Sequence, residues 1–430
     1  MRSRRGIETG TLFFLPLDKT YSHTYSIQEL VLLAMRCLNH IWTAYPRSQS
    51  IAVEYGAIGK FCEKMKGIEF IDIAEETLRG LLKLSDGHAN EIIRAGGIVI
   101  VMTYMDFFRM NTQRVVMRVV EALCRGLNSE SVSSATPMMS RLLNLMKSSD
   151  DTLASKACES IYHIIRASAK DMESFFNNDS NKDTLSCFFA VLENEQDEQV
   201  KKLVPSVLKS LIVICEFSSL HVVNEKIMGQ ISLFSRLLGR AVQNHANKDI
   251  NSIIRHVLEL FDCLFKRRHD RDESEPPAKK RKCSSPIHDH FSNHVLTLLL
   301  ELFERLHSQR SSSNLGVTKS LVNTVHRFVA TSCPDHLTSL KCSARLTQMV
   351  STAIWIGPCE VLISSLNILR LLLNSASSVF LAHARRCGLE EDVRSVLLLR
   401  DSQVTRSHTN INTSNHRYRD LEDRVSRTAQ

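Results

Sequence analysis

Ala95–Arg114 reads AGGIVIVMTYMDFFRMNTQR, and its first half is one copy of a repeat. Tyr55–Met65, YGAIGKFCEKM, lies over Ala95–Met105 with Gly56 opposite Gly96, Ala57 opposite Gly97, Ile58 opposite Ile98 and Met65 opposite Met105, an offset of 40 throughout. The same offset sets Ala34 opposite Ala74, Leu38 opposite Leu78 and Ile41 opposite Leu81. Each block is an apolar-periodic helix, a short break, a Gly–small–Ile turn and a second apolar helix.

Repetition at about 40 residues is the mark of stacked helical units of the armadillo or HEAT kind. The expected fold is all-α, an armadillo/HEAT-like right-handed helical solenoid. Composition agrees: the chain of 430 residues is 43% hydrophobic but only 6% aromatic, with 15 Gly and 9 Pro. Leu/Val/Ile-packed helices suit that mix, and an all-β fold would need more turns.

Working outward, Ile27–Ala44 reads as a first helix with Leu30, Leu33, Ala34, Cys37, Leu38 and Ile41 on its inner face, stopped by Pro46. Ser50–Glu54 and Ile58–Met65 complete a three-helix unit. The next unit is Ile71–Leu84, Asn90–Ala95 and Ile98–Met105, and a third opens at Gln113. Ala157, Ile161 and Ile164 repeat Ala74, Leu78 and Leu81 two periods later. The spacing predicts repeats over residues 27–265, a basic disordered loop over 266–292, further helical repeats over 293–398 and a disordered tail over 399–430. Residues 1–26 stay unassigned. Within them Thr11–Leu17 is apolar after a basic start, but it is short, contains a proline and lacks a small-residue cleavage site.

Net charge is +8, and its location says more than its size. Residues 1–5, 266–282 and 394–430 carry +3, +4 and +3, which leaves the repeats close to neutral. A nucleic-acid partner is therefore disfavoured, because that footprint needs clustered base on structured elements. No apolar run reaches the length of a membrane helix. The 12 cysteines form no CxxC pair, and most, Cys37 and Cys124 among them, fall in apolar helical phase, as buried free thiols do. Cys283, His288, His290 and His294 come nearest to a metal set without the paired spacing one needs. The sequence calls for no cofactor.

Lys266–Ser285, KRRHDRDESEPPAKKRKCSS, carries two basic clusters, Lys266, Arg267 and Arg268, then Lys279, Lys280, Arg281 and Lys282. It resembles a bipartite nuclear-localisation signal, whose lysines enter acidic pockets of a nuclear import receptor. The expected location is the nucleus, with a cytoplasmic pool. No phosphate-binding glycine loop, GxSxG or HExxH occurs. Gly96 and Gly97 read as backbone geometry at a repeat turn, Asp106 as a loop or cap residue, and Phe107 and Phe108 as core contacts between repeats. Arg114 reads equally as a groove residue or as an inter-repeat ion pair.

Four linked elements also resemble a known family. Ile71, Asp72, Ile73, Ala74, Glu75 and Leu78 match a helix of pattern I-D-[IVL]-A-E-x-[AS]-L, with Thr77 in the small position. Ala95, Gly96 and Gly97 match an A-G-[GA] turn, Tyr104–Phe108 a Y-[LIM]-D-F-F segment, and Gln113 and Arg114 a Q-R pair. Together they resemble the armadillo region of the ubiquitin-fusion-degradation type of HECT ubiquitin-protein ligases, the family of the thyroid-hormone-receptor-interacting and Kaktus ligases. That resemblance implies a substrate-recognition scaffold acting in polyubiquitination and proteasomal degradation, with protein substrates and ubiquitin itself as partners. The family's catalytic cysteine lies in a HECT domain that these 430 residues do not contain. A non-enzymatic nuclear adaptor that binds extended peptides is the alternative. An import receptor is disfavoured, since neither Trp42 nor Trp355 is followed one helical turn later by Asn.

Overall fold

The computed structural model describes residues 26–66, 70–194, 198–243, 248–274, 289–308, 315–332, 337, 343–356, 358–375 and 377–396. Among these, every regular element is a helix. They divide into two compact units, residues 1–219 and 220–430.

In the first unit, α1 (Ile27–Ala44), α2 (Ser48–Glu54) and α3 (Ala57–Lys66) lead into α4 (Ile71–Arg94) and α5 (Gly97–Thr103). A 3₁₀ turn, Met105–Phe107, precedes α6 (Met110–Arg125). Then come α7 (Met139–Leu145), α8 (Asp151–Ala167), α9 (Met172–Asn177), α10 (Thr184–Glu193), α11 (Glu198–Lys201) and α12 (Val204–Phe217). With each repeat framed to run short, short, long, α1 and α4 become third helices rather than first ones, and these long helices stack in series, α1 on α4, α4 on α6, α6 on α8 and α8 on α12. This is the three-helix armadillo layout. Ala74, Leu78 and Leu81 are buried, as are Ala157, Ile161 and Ile164 in the same register of α8.

Local chemistry places the ends. Ser26 and Glu29 form a reciprocal capping box at the start of α1. Pro205 lies in the first turn of α12, where its missing N–H costs nothing, and α12 is thereby set off from α11. Non-helical angles at His88, φ −128° and ψ 32°, bend α4 at the boundary expected between Ile71–Leu84 and Asn90–Ala95. Gly96 has φ 77° and Gly56 has φ 80°, so both repeats turn through the left-handed region. Gly97 is different: a Cβ there would sit 2.4 Å from Ile92 Cγ2 and 2.9 Å from the Ile92 carbonyl oxygen. The paired glycines thus serve a turn and a close packing contact respectively, and α5, seven residues long, follows directly.

Three expectations need correction. The inner face of α1 is Met35, Asn39 and Trp42, whereas Leu33 and Ile41 are 58% and 41% exposed. The burial register with α4 is offset by 39, not 40. α1 carries two apolar stripes, and the one holding Trp42 goes inside, where its ring packs 5.4 Å from Phe61. Cys37 rides the other stripe and is exposed, unlike Cys62, Cys124, Cys158, Cys187 and Cys215. Finally, Phe108 is buried but Phe107 is 69% exposed and touches only the Tyr104 ring, 6.1 Å away, among the ring contacts described.

The second unit holds α13 (His221–Met228), α14 (Ile231–Gln243) and α15 (Lys248–Ser274), with later helices Leu296–Ser308, Leu315–Thr331, Ser343–Ile356, Cys359–Ser375 and Ser377–Arg386. α15 packs on Leu315–Thr331, which packs on Cys359–Ser375. Phe265, Phe291 and Phe328 form its aromatic centre, with Phe291 and Phe328 4.7 Å apart. α15 continues to Ser274, so Lys266, Arg267 and Arg268 belong to a helix and not to the loop expected from residue 266. Its apolar stripe from Ile250 to Phe265 nucleates a helix that runs on into the charged sequence. Lys279–Lys282 and the tail over 399–430 lie outside the described residues. No helix among the described residues is long and apolar enough to cross a membrane.

Candidate protein-binding face

The stacked third helices of the first unit give one continuous face, and its side chains are fixed by bonds that cross from repeat to repeat. On α1, Asn39 is buried and donates through Nδ2 to the Glu76 carbonyl oxygen and to Glu76 Oε2, both at 2.9 Å. Glu76, whose side chain is only 9% exposed, also receives Arg79 Nη1 at 2.5 Å and faces Arg36 Nε at 3.5 Å. Lys83 reaches back to the Asn39 carbonyl and to Thr43 Oγ1. On the far side of α4, Glu75 accepts from Thr112 Oγ1 of α6 at 2.7 Å.

Between α6 and α8 two clusters do the same work. Arg114 donates from Nε and Nη2 to Asp150 Oδ2, at 2.9 and 2.6 Å. Those two bonds hold the Asp150 carboxyl below the usual carboxylate range. Lower on the same helix Glu121, 7% exposed, receives Arg125 at 2.8 Å and lies 3.5 Å from both Lys156 and His163. Burial works to raise the Glu121 pKa, but His163, Arg125 and Lys156 outweigh it and bring it down to about 2. Arg166 of α8 donates to the carbonyl oxygen of Arg125 at 3.3 Å, at the C-terminal end of α6, where the helix dipole favours a cation.

The motif residues found in the sequence resolve into positions around this face. Ala74 is core, Asp72 is exposed in the first turn of α4, and Glu75 bridges to α6. Arg114 is the inter-repeat ion pair of the two readings. Gln113 donates to the Phe108 carbonyl at 2.9 Å and so ties α6 to the preceding turn. Asp106 caps nothing with its side chain; it is 79% exposed and pairs with Arg141 at 2.7 Å. Asn39, Glu76, Glu121 and His163 escaped the sequence reading, although Asn39 and Glu121 interrupt apolar stripes, which is the one signal they leave. Buried Cys124 and Cys158, each with its thiol pushed up to about 12 by burial, offer no nucleophile. Trp42 is core and supplies no aromatic ladder here. No group of three or more His, Cys, Asp or Glu among the described residues could hold a metal ion.

A protein-family model described as E3 ubiquitin-protein ligase TRIP12-like, TPR repeats, matches residues 19–93. The E3 ubiquitin-protein ligase UPL3 of Arabidopsis thaliana is 33% identical over 133 residues, covering 30% of this chain and 7% of that protein. This repeat region is similar to the N-terminal repeats of the ubiquitin-fusion-degradation group of ubiquitin ligases. TRIP12 of Danio rerio is 34% identical over 113 residues, 26% of this chain and 6% of that one. A probable ubiquitin fusion degradation protein of Schizosaccharomyces pombe is 26% identical over 192 residues, 44% and 12%. The matches thus span only 6–12% of the length of these relatives.

Solved structures bear out the all-α solenoid fold. An engineered protein superposes with TM-score 0.59 at 12% identity, over 94% of this chain and 96% of that one. A chain from a structure of the cadherin and beta-catenin interaction gives 0.56 at 12% identity, over 87% and 72%. The family model speaks of TPR repeats, which are helix pairs of 34 residues. The present units, with a third helix and a period near 40, follow the armadillo plan.

Proposed function

We propose that this chain is the substrate-recognition scaffold of a HECT-type ubiquitin-protein ligase, serving polyubiquitination and proteasomal degradation. The single observation that carries the reading is the family match over residues 19–93, which ends within α4, one of the helices that build the face. A repeat stack exposes a long surface of pre-positioned side chains at little conformational cost, and such a surface suits extended segments of client proteins. Holding the client would raise its effective concentration at a thioester carried elsewhere in the ligase.

The test is binding of the purified full chain to a ubiquitin–protein fusion that cannot be cleaved, the substrate type for which the relatives are named. Saturable binding is expected, stronger than to either half of the fusion alone. No binding at 100-fold above the concentration of a typical micromolar complex would end the scaffold reading. Entry into the nucleus through Lys266–Arg268 and Lys279–Lys282 belongs to the same proposal, and the density of the two clusters supports it. Replacing Lys279, Lys280, Arg281 and Lys282 by Ala should leave a fluorescent fusion in the cytoplasm; an undiminished nuclear signal would remove that element.

A further inference from the structure

On the third-helix face, acids and bases lie at different depths. The carboxylates of Glu76, Glu121 and Asp150 are 9%, 7% and 11% exposed. The guanidinium groups above them, Arg79, Arg125 and Arg114, are 54%, 60% and 41% exposed. An approaching molecule therefore meets cations first, although the ion pairs together are close to neutral. Arg114, Arg118 and Arg125 occupy positions i, i+4 and i+11 of α6 and so share one side of that helix. Arg118 is exposed between the other two and makes no ion pair among the described residues. Arg166 extends the row onto α8, 5.9 Å from the Tyr162 ring.

The exposed cations are also oriented. Arg125 spends Nε and Nη2 on Glu121, and Arg114 spends Nε and Nη2 on Asp150 and Nη1 on Asn111. Each guanidinium has five N–H donors in a rigid plane, so donors remain on the solvent side with the plane already fixed. The acids that share the surface are engaged: Glu75 by Thr112 and Glu159 by Lys156, at 2.7 and 2.6 Å. Asp86, near Arg125, and exposed Asp72, one heptad before Arg79 on α4, are acids that a ligand would have to compete with.

We propose that the arginine row of α4, α6 and α8 is a docking track for an acidic, extended peptide segment, with Arg118 as its central anchor. The inference rests on the scaffold reading and names the chemistry of the client. Neighbouring helix axes are about 8–10 Å apart, and an extended chain advances about 3.3 Å per residue. A Glu or Asp at roughly every third ligand position would meet successive helices. A nucleic acid is the less fitting polyanion, because the buried carboxylates beneath the arginines keep the field short-ranged.

The experiment uses the full chain and a fluorescent 15-residue peptide with Glu at every third position among Ser and Gly, its Gln counterpart, and a 12-nucleotide single-stranded RNA, at two salt concentrations. The acidic peptide should bind at least tenfold more tightly than the Gln peptide and more tightly than the RNA. Arg118→Glu should abolish that preference with an unchanged melting temperature, because Arg118 is exposed and holds no ion pair or side-chain hydrogen bond among the described residues. Equal binding of the Glu and Gln peptides, unaltered binding by the Arg118→Glu variant, or tighter binding of the RNA would each overturn the proposal. Continued capture of the ubiquitin fusion in that event would show that the docking chemistry was wrong and the scaffold reading intact; loss of both would end the two together.

Discussion

Arg114 of α6 grips the residue that starts the next repeat's long helix: its Nε and Nη2 converge on Oδ2 of Asp150, while Asp150 Oδ1 caps α8 by accepting from the N–H groups of Thr152 and Leu153, both at 3.0 Å. One carboxylate therefore joins two repeats and ends the frayed donors of a helix. The prediction is an ordered series. Asp150→Ala removes cap and ion pair together and should cost about 1–2 kcal/mol in denaturant unfolding. Asp150→Asn keeps a cap acceptor and should cost less, and Arg114→Ala, at a solvent-open site, should cost least. Because the Asp150 pKa is depressed in the fold, its contribution is complete above the unfolded-state pKa and fades as pH falls through the folded one. An Arg114→Ala loss larger than that of Asp150→Ala would contradict the assignment of the cap.

Glu121 should make the unit acid-labile in a defined window. Its carboxyl titrates near 2 in the fold, set by burial against the stronger opposing effects of His163, Arg125 and Lys156, and ordinary glutamate titrates near 4.3. The stabilisation it supplies is therefore present above about pH 4.3 and lost as pH falls towards 2. Allowing for solvent around Arg125, it is worth about 2 kcal/mol. Glu121→Gln should lower stability by that order at pH 7, and the gap to the parent chain should shrink on acidification. A gap independent of pH would mean that shape, not charge, is what Glu121 supplies.

Phe107 and Phe108 should separate cleanly although they are adjacent in the chain. Phe108 is 4% exposed and Phe107 69%. Phe108→Ala should cost about 3 kcal/mol by loss of buried area and the cavity left behind. Phe107→Ser should leave the melting temperature within a degree or two, as surface changes of about 0.5 kcal/mol do. A large loss from Phe107→Ser would show that another element covers it in the intact chain.

What the sequence made legible was whatever local backbone chemistry dictates. The 40-residue spacing of Gly56 and Gly96, the end of α1 before Pro46 and the core triplets of α4 and α8 all stand in the structure. Failures came where one helix offered two answers. α1 is apolar on the stripe through Leu33, Cys37 and Ile41 and on the stripe through Met35 and Trp42, and periodicity cannot choose between them. Only the partner surface, with Phe61 waiting for Trp42, decides it. The polar ladder was hidden for a different reason. Asn39–Glu76 and Arg114–Asp150 join residues 37 and 36 positions apart; an inter-repeat ion pair is one of the two readings for Arg114, but its partner, and Asn39 altogether, show only when the repeats are stacked.

Gly96 and Gly97 offer the sharpest test of local against tertiary constraint, because they are neighbours with opposite problems. At Gly96 a Cβ would meet only Ile100 Cδ1 at 3.8 Å, an ordinary contact, but φ is 77°. At Gly97 the backbone is helical, but a Cβ would collide with Ile92 Cγ2 and the Ile92 carbonyl. Gly96→Ala should therefore cost about 1–2 kcal/mol as left-handed strain, Gly96→Asn distinctly less because Asn tolerates that region, and Gly96→Val the most of the three. At Gly97 the order changes: Gly97→Ala should already cost more than Gly96→Ala, since the Ile92 backbone must move, and Asn should bring no relief. Parallel unfolding curves of these variants read the difference directly. Equal tolerance of Asn at the two positions would show that the second glycine, too, is there for its dihedral angles and not for the approach of Ile92.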